Sequence, residues 1–329
     1  MALRYTDTPE NLRLLAGKLR DGELVAVPTE TVYGLAADAR NENACREIFR
    51  VKGRPAEDPL IVHIPMDFDP TEIVRPTALL DRLREVFWPG PLTLVLEKTG
   101  AIPGIVTAGL ASVAVRMPAH ATLRALLREF GGPLAAPSAN PFSGVSPTTA
   151  DHVEEGLGKR IDHILDGGPC RFGIESSILD IRDSARPVLL RHGAIPVEEL
   201  EAALEQAVAY PEDDSHAGVA PGQLPRHYSP RTPFHLEAAP LRIPDDPAAR
   251  NTAFLSFRKP DSLPPGAGNH FWLTETGSLK EAAANLFATL LEIDRRGFSS
   301  IRAETAPDTG LGRAINDRLR RAAASAAGG

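Results

Sequence analysis

Aromatic residues are scarce in this 329-residue chain, at 5%, with two Trp and four Tyr. That scarcity argues against successive base-stacking platforms and against membrane-interface belts. Cysteine is nearly absent. The two present, Cys45 in a helical stretch and Cys170 in a glycine-rich loop, have no metal-ligand spacing and build no disulfide framework. Excess positive charge is missing too: 36 Lys and Arg stand against 43 Asp and Glu, for a net charge of −7. A surface devoted to nucleic acid is thereby disfavoured, although a local basic pocket is compatible with it. No apolar stretch approaches a membrane span, and Met1 to Thr8 carries no signal-like apolar core, so a cytoplasmic, membrane-free protein is expected. The common catalytic signatures are also missing. There is no nucleophile elbow, no HExxH, no CxxC and no strand-bounded GxGxxG, and Gly17-Lys18 lacks the glycine-rich approach of a phosphate loop.

What is present is an ordinary globular balance, 43% hydrophobic and 24% charged, long enough for a large and a small domain. Its most telling segment is Arg50-Val-Lys-Gly-Arg-Pro-Ala-Glu-Asp-Pro-Leu-Ile-Val-His-Ile64. Lys52 and Arg54 lie two apart in a turn closed by Pro55 and Pro59, beside an apolar run that ends on His63. Two fixed cations next to a buried strand suit a phosphate-bearing ligand.

Apolar runs and helical patterns alternate as far as about residue 205. Strands are predicted at 24–27, 60–64, 92–96, 113–116, 134–136, 163–165, 178–181 and 188–191. Helices are predicted at 10–20, around 44–49, and at 77–87, 121–130, 149–157 and 197–209. The fold class is α/β, a twisted open mixed sheet with helices over residues 1–208. The Pro-rich stretch 209–233 reads as a linker, and 234–329 as a smaller α/β, Rossmann-like domain. In that domain strands are predicted at 253–257, 271–273 and 300–303, with a Ser278/Glu281 capping box opening a helix to Gly297 and a final helix over 311–324. The carboxylate pairs Asp213-Asp214 and Asp245-Asp246 read as solvated loop residues.

Several strands of the large domain end on, or soon reach, small polar or cationic groups: Thr29 and Thr31, His63, Arg116, Ser138 with Asn140, Ser176 with Ser177, and Arg191. In α/β sheets ligands bind where such ends converge. Taken singly, each hydroxyl also reads as a cap, and His63 as a structural histidine. Arg116 and Arg191, directly after Val-Ala-Val and Val-Leu-Leu, need partners, which a bound carboxylate or phosphate would supply. The loops 136–147 and 167–177, rich in Gly, Pro and Ser, could curl their N–H groups into anion nests or be plain surface loops. By themselves these residues specify a phosphate- and carboxylate-binding pocket and no particular reaction.

The segments together resemble the threonylcarbamoyl-AMP synthase (YrdC-like) family in its long form with an added C-terminal domain. The matching stretches are Pro28-Thr-Glu-Thr-Val-Tyr-Gly34, Lys52-Gly-Arg-Pro55, Pro59-Leu-Ile-Val-His63, Trp88-Pro-Gly-Pro-Leu-Thr93, Val115-Arg-Met-Pro118, Ala136-Pro-Ser-Ala-Asn140, Ser146-Pro-Thr-Thr149 and Gly173-Ile-Glu-Ser176. They run in the family's order over nearly all of residues 10–200. Pro221-Gly to His227-Tyr-Ser-Pro230 and Gly310-Leu-Gly-Arg-Ala-Ile-Asn-Asp-Arg-Leu319 look like the long form specifically.

The resemblance implies a nucleotidyltransferase that makes threonylcarbamoyl-AMP and pyrophosphate from L-threonine, bicarbonate and ATP, for the threonylcarbamoyladenosine (t6A) modification of tRNA. It implies Thr31, His63, Arg116, the Ala136 backbone and Ser176 at threonine. Lys52 and Arg54 would be catalytic cations on the triphosphate, and Arg54, Asp58, Ser112, Ser138, Ser146, Arg191 and Tyr228 would contact ATP, with Tyr228 returned as a lid. Mg²⁺ is expected with ATP and no protein metal site. The intermediate would pass to a tRNA threonylcarbamoyl transferase complex. Gln223, Ser177 and His192 depart from the usual pattern, His192 putting the Arg191 contact in doubt. Two rivals stand beside this reading: a non-catalytic RNA-binding module, and a carbamoyl transferase like those of hydrogenase maturation, whose zinc-finger-like cysteines are absent here. On the synthase reading, Arg54→Ala is expected to abolish pyrophosphate release and leave the fold intact.

Overall fold

The computed structural model describes residues 1–211, 218–221, 228–241, 250–263 and 268–324. Gln223, His227 and the two carboxylate pairs, with much of the predicted linker, lie outside the described residues. The chain divides into two compact units. The first holds the described residues within Met1–Phe142, Pro147–Arg171 and Glu175–Leu224, and the second those within Ser143–Ser146, Phe172–Ile174 and Pro225–Gly329.

The first unit is built from β1 (Leu3–Thr6), α1 (Pro9–Arg20), β2 (Val25–Val27), β3 (Gly34–Asp38), α2 (Glu42–Lys52), β4 (Ile61–His63), α3 (Leu80–Phe87), β5 (Leu92–Glu97), β6 (Ser112–Arg116), α4 (Ala121–Phe130), β7 (Leu134–Ala135), α5 (Ala150–Leu157), β8 (His163–Asp166), β9 (Ser177–Asp180), β10 (Val188–Arg191) and α6 (Val197–Leu204). Its ten strands form one mixed sheet in the order β1-β8-β2-β3-β7-β4-β6-β5-β9-β10. Helix starts follow local chemistry: Thr8 caps α1 with Pro9 in its first turn, Asn41 accepts from Asn43 and Ala44 at α2, and Thr149 caps α5. Gly53 ends α2 at φ 64°, a left-handed position that suits a residue with no Cβ.

Strand periodicity divides the side chains between two faces. Ala26, Leu35, Val62, Leu94 and Val115 pack with Cys45, Ile48 and Phe49 of α2 and with Leu80 and Leu83 of α3. On the opposite face, Val25, Val27 and Leu134 pack with Leu12, Leu15 and Leu19 of α1 and Leu123, Leu126 and Leu127 of α4. A smaller cluster on that same face joins Ile61, Val95, Ala114, Ile178 and Leu190. His63, Thr93 and Arg116, two residues from Ile61, Val95 and Ala114, therefore share this second face.

In the second unit β11 (Phe234–Glu237), β12 (Thr252–Arg258), β13 (His270–Thr274) and β14 (Ser300–Glu304) form an all-parallel sheet ordered β11-β14-β12-β13, with α7 (Leu279–Arg296) and α8 (Leu311–Ala323). The Ser278–Glu281 capping box is present at the start of α7. At the start of α8, a Cβ on Gly312 would stand 1.7 Å from the Pro307 carbonyl oxygen, so Gly310-Leu-Gly312 serves close backbone packing. The Asn316 side chain then completes Ala306, accepting from its N–H and donating to its carbonyl.

Three strands escape the sequence prediction. β1 is a half-polar edge strand, β3 reads Gly-Leu-Ala-Ala-Asp, and β11 alternates weakly; each is set by its pairing partners. The predicted helix 197–209 stops at Leu204 with Glu205 left-handed, because Ala209 leaves to pair beside Val188.

Candidate active site

In β4 and β6, which run parallel, His63 stands in register with Arg116. Arg116 is 3% exposed and already engaged: Nε donates to Gly90 O at 3.2 Å, Nη1 to Thr31 Oγ1 at 3.0 Å and Nη2 to Glu30 Oε1 at 2.5 Å. Three of the guanidinium's five N–H groups are used, which leaves two, one on each terminal nitrogen, enough for a two-point clamp on a carboxylate. Thr31 is fixed in turn, since Thr29 Oγ1 lies 2.8 Å from its hydroxyl and also accepts from the Thr31 and Val32 amides. Burial and the charge of Arg116 push His63 down to about 3, so it is a neutral imidazole, and its Nδ1 lacks a partner among the described residues.

The segment 88–93 ties this corner to the next. Gly90 N–H donates to Met117 O, Ser177 N–H donates to Pro91 O, and Thr93 Oγ1 lies 2.8 Å from Ser176 Oγ. Ser176 also receives Arg191, whose Nε donates to the Ser176 carbonyl and Nη2 to its hydroxyl, both at 3.0 Å. With His192 following it, Arg191 is held on Ser176.

Arg191 completes a buried cationic group. Lys52 Nζ donates to the carbonyls of Ser138, at 2.6 Å, and Asn140. Arg54 Nε donates to Asp58 O, Nη2 donates to Pro59 O, and Nη2 lies 2.9 Å from Asp58 Oδ2. Burial pushes the Asp58 carboxyl up, against the opposing pull of Arg54, Lys52 and Arg191. Burial and the Arg54 charge push the Lys52 ammonium well below its ordinary range. The two guanidiniums around one carboxylate already leave an excess of positive charge that water reaches poorly, and a bound polyanion would favour the charged form of Lys52 beside them.

The structure corrects two expectations. The partner that Arg116 requires is in the first instance internal, Glu30, a residue that sequence reading passed over because a lone Glu between two threonines carries no pattern. In the 136–147 and 167–177 loops, six N–H groups are committed within the protein and do not serve an anion nest. Ala136 donates to Ile61 O, Ala139 to Tyr33 O, Phe142 to Lys52 O, Gly167 to the Tyr33 hydroxyl, Gly168 to Asp166 and Cys170 to Thr148 O. Instead, carbonyls at 138 and 140 face Lys52, and the Ala136 carbonyl accepts no hydrogen bond among the described residues. Ser112 opens β6 and is buried. Ser146 and Tyr228 belong to the second unit. There Tyr228 is buried, with its ring stacked 5.6 Å from Phe287 and Arg318 5.1 Å from its centroid. No cluster of His, Cys, Asp and Glu able to hold a metal occurs among the described residues, and no helix among them is long and apolar enough to cross a membrane.

His63 gives the site a pH signature. Its folded value near 3, against 6.5 when unfolded, means that the unfolded chain binds more protons between those limits, so its contribution is full above about pH 6.5 and lost as pH falls toward 3. We expect His63→Asn to flatten the decline in stability between pH 6.5 and about 4.5 by roughly 2 kcal/mol, in urea melts at each pH. Parallel declines in both proteins would refute a buried neutral His63.

Two family models match successive parts of the chain. Residues 17–193 match the family described as Telomere recombination, and 195–324 match the Threonylcarbamoyl-AMP synthase C-terminal domain. A protein of Pyrococcus abyssi named Threonylcarbamoyl-AMP synthase is 41% identical over 325 residues, covering 94% of this chain and 93% of its own. One of the same name from Bacillus subtilis is 40% identical, covering 94% and 91%. The crystal structure of P. abyssi Sua5 complexed with L-threonine superposes with a TM-score of 0.87 at 37% identity, covering 99% of this chain and 98% of that one.

Proposed function

The chain belongs to the threonylcarbamoyl-AMP synthase family, and on that premise we propose that it joins L-threonine, bicarbonate and ATP into threonylcarbamoyl-AMP and pyrophosphate. The observation that carries this reading is the pairing of two differently charged corners through one serine. Arg116 has two N–H groups left for a carboxylate, Ser176 lies beside both Thr93 and Arg191, and Arg191 lies with Lys52 and Arg54 around Asp58.

In this reading the amino acid sits by its carboxylate at Arg116 and Thr31, near the neutral His63 and the open Ala136 carbonyl. Its amine combines with bicarbonate to give a carbamate and water. A carbamate oxygen attacks the α-phosphorus of ATP, the bond to the β-phosphate oxygen breaks, and pyrophosphate leaves. Lys52, Arg54 and Arg191 offset the charge that develops on the phosphates, held ready by the carbonyls and the carboxylate that already bind them. Asp58, Ser112, Ser138, Ser146 and Tyr228 are proposed for the nucleotide on the family resemblance alone. Asp58 is engaged by Arg54 and no metal-holding cluster occurs among the described residues, so Mg²⁺ fits here as part of the ATP substrate, held by phosphate oxygens and water. The product would be consumed in the cytoplasm by a transferase that modifies tRNA to t6A.

The test is pyrophosphate release from ATP and bicarbonate, with and without L-threonine, followed by mass analysis of the adenylate. Threonine-dependent release with a threonylcarbamoyl-AMP mass is expected. Folded protein that releases none, or releases it regardless of threonine, would overturn the reading.

A further inference from the structure

Glu30 lies in the turn that follows β2, 5% exposed and flanked by Thr29 and Thr31. One oxygen, Oε1, takes the Arg116 contact; Oε2 has no hydrogen-bond partner among the described residues. Burial works to raise its carboxyl, but the charge and hydrogen bond of Arg116, with help from the Glu30 and Ala119 backbone N–H groups, more than offset this and hold it below the ordinary range. Its other ionisable neighbours add no positive charge. His63 is held neutral, His120 is pushed down by burial, and burial pushes the Cys170 thiol up.

The charges of this corner therefore sum to zero. A site meant only for a carboxylate would keep the guanidinium's charge whole. Here a buried anion cancels it, and its Oε2 has no close hydrogen-bond partner among the described residues, an arrangement that a ligand supplying a positive donor would complete. A ligand with both signs on adjacent atoms balances the pair, and an α-amino acid in its zwitterionic form is such a ligand. A hydroxy or plain carboxylic acid would bring a second negative charge beside Glu30 with nothing to answer it. Rejection through an unpaired buried polar group is a strong form of discrimination.

We propose that Glu30 is the specificity residue that admits zwitterionic amino acids by receiving the α-ammonium while Arg116 receives the carboxylate. This rests on the function proposed above and deepens its amino-acid site.

The experiment compares two ligands on the full chain by calorimetry, L-threonine and 3-hydroxybutyrate, which keeps the carboxylate and hydroxyl and lacks the nitrogen. The variant is Glu30→Gln, nearly the same shape and still able to accept from Arg116 through its amide oxygen. We expect the wild type to prefer threonine strongly. In the variant the threonine Kd should weaken by about ten- to a hundredfold while the 3-hydroxybutyrate Kd stays put or tightens, so that the preference collapses. If both ligands weaken by one factor, Glu30 only orients Arg116 and the proposal fails; it fails also if neither changes. Should Glu30→Gln not fold, Glu30→Asp keeps the charge and shortens its reach, and the same unequal response is required of it. A wild type that binds no threonine would instead sink the proposed function.

Discussion

Arg54→Ala should cost both turnover and fold. The sequence suggests an inert but intact variant, because a cation in a Pro-bounded turn reads as a ligand group. In the structure the Arg54 and Asp58 side chains are 3% and 4% exposed and lie 2.9 Å apart, and Arg54 also serves the Asp58 and Pro59 carbonyls. Removing one member of a buried pair strands the other's charge, at a cost of about 3–5 kcal/mol. Losing a preorganised cation from phosphoryl transfer lowers turnover on the order of a hundred- to a thousandfold. Adding Asp58→Asn separates the two losses. The double variant should regain most of the stability in urea melts and remain inactive in pyrophosphate release. A single variant with the wild-type midpoint would show the ion pair to be dispensable, and one with wild-type turnover would remove Arg54 from the mechanism.

Gly193→Ala should be nearly as severe, although Gly193 touches no proposed substrate. A Cβ there would stand 2.2 Å from the Ser176 carbonyl carbon and from the Ser177 amide nitrogen. Both are backbone atoms, so no rotamer change relieves the clash, and the 192–194 loop must withdraw. That withdrawal breaks Ala194 N–H to Glu175 O and Ile195 N–H to Ser177 Oγ, each 3.0 Å. It also draws Arg191 off Ser176 and so loosens the link between the two corners of the site. The expected cost is about 3 kcal/mol or more, as for the harsher overpacking changes. Threonine affinity and pyrophosphate release should fall together. Thermal unfolding alongside threonine titration decides it, and a variant that melts and binds like the wild type would show that the loop yields freely.

The two predictions differ in how far the sequence could have reached them. Arg54 stands out in sequence because cation chemistry in a rigid turn is a local pattern. Gly193 is inconspicuous, because its constraint comes from a strand seventeen residues earlier in the chain. The same contrast runs through the site. Thr31, His63, Arg116, Ser176 and Arg191 stand out in sequence as polar groups beside apolar runs. Glu30 does not, since its role appears only when β6 delivers Arg116 to the turn after β2.

Local pattern along the chain was enough for the α/β class, most of the helices with their caps, and the strands whose apolar runs are buried. These follow from period, capping chemistry and β-branched composition, all of which act over a few neighbours. Only the tertiary structure decided the order of the ten strands, which puts β7 between β3 and β4 and so sets Ala136 beside Ile61. It alone brought in β1, β3 and β11, whose weak local preferences are overruled by pairing. It alone showed that Arg116 and Arg54 come with internal carboxylates. A buried charge must be answered within a few ångströms, and which residue of the chain is near enough to answer it is a property of the fold.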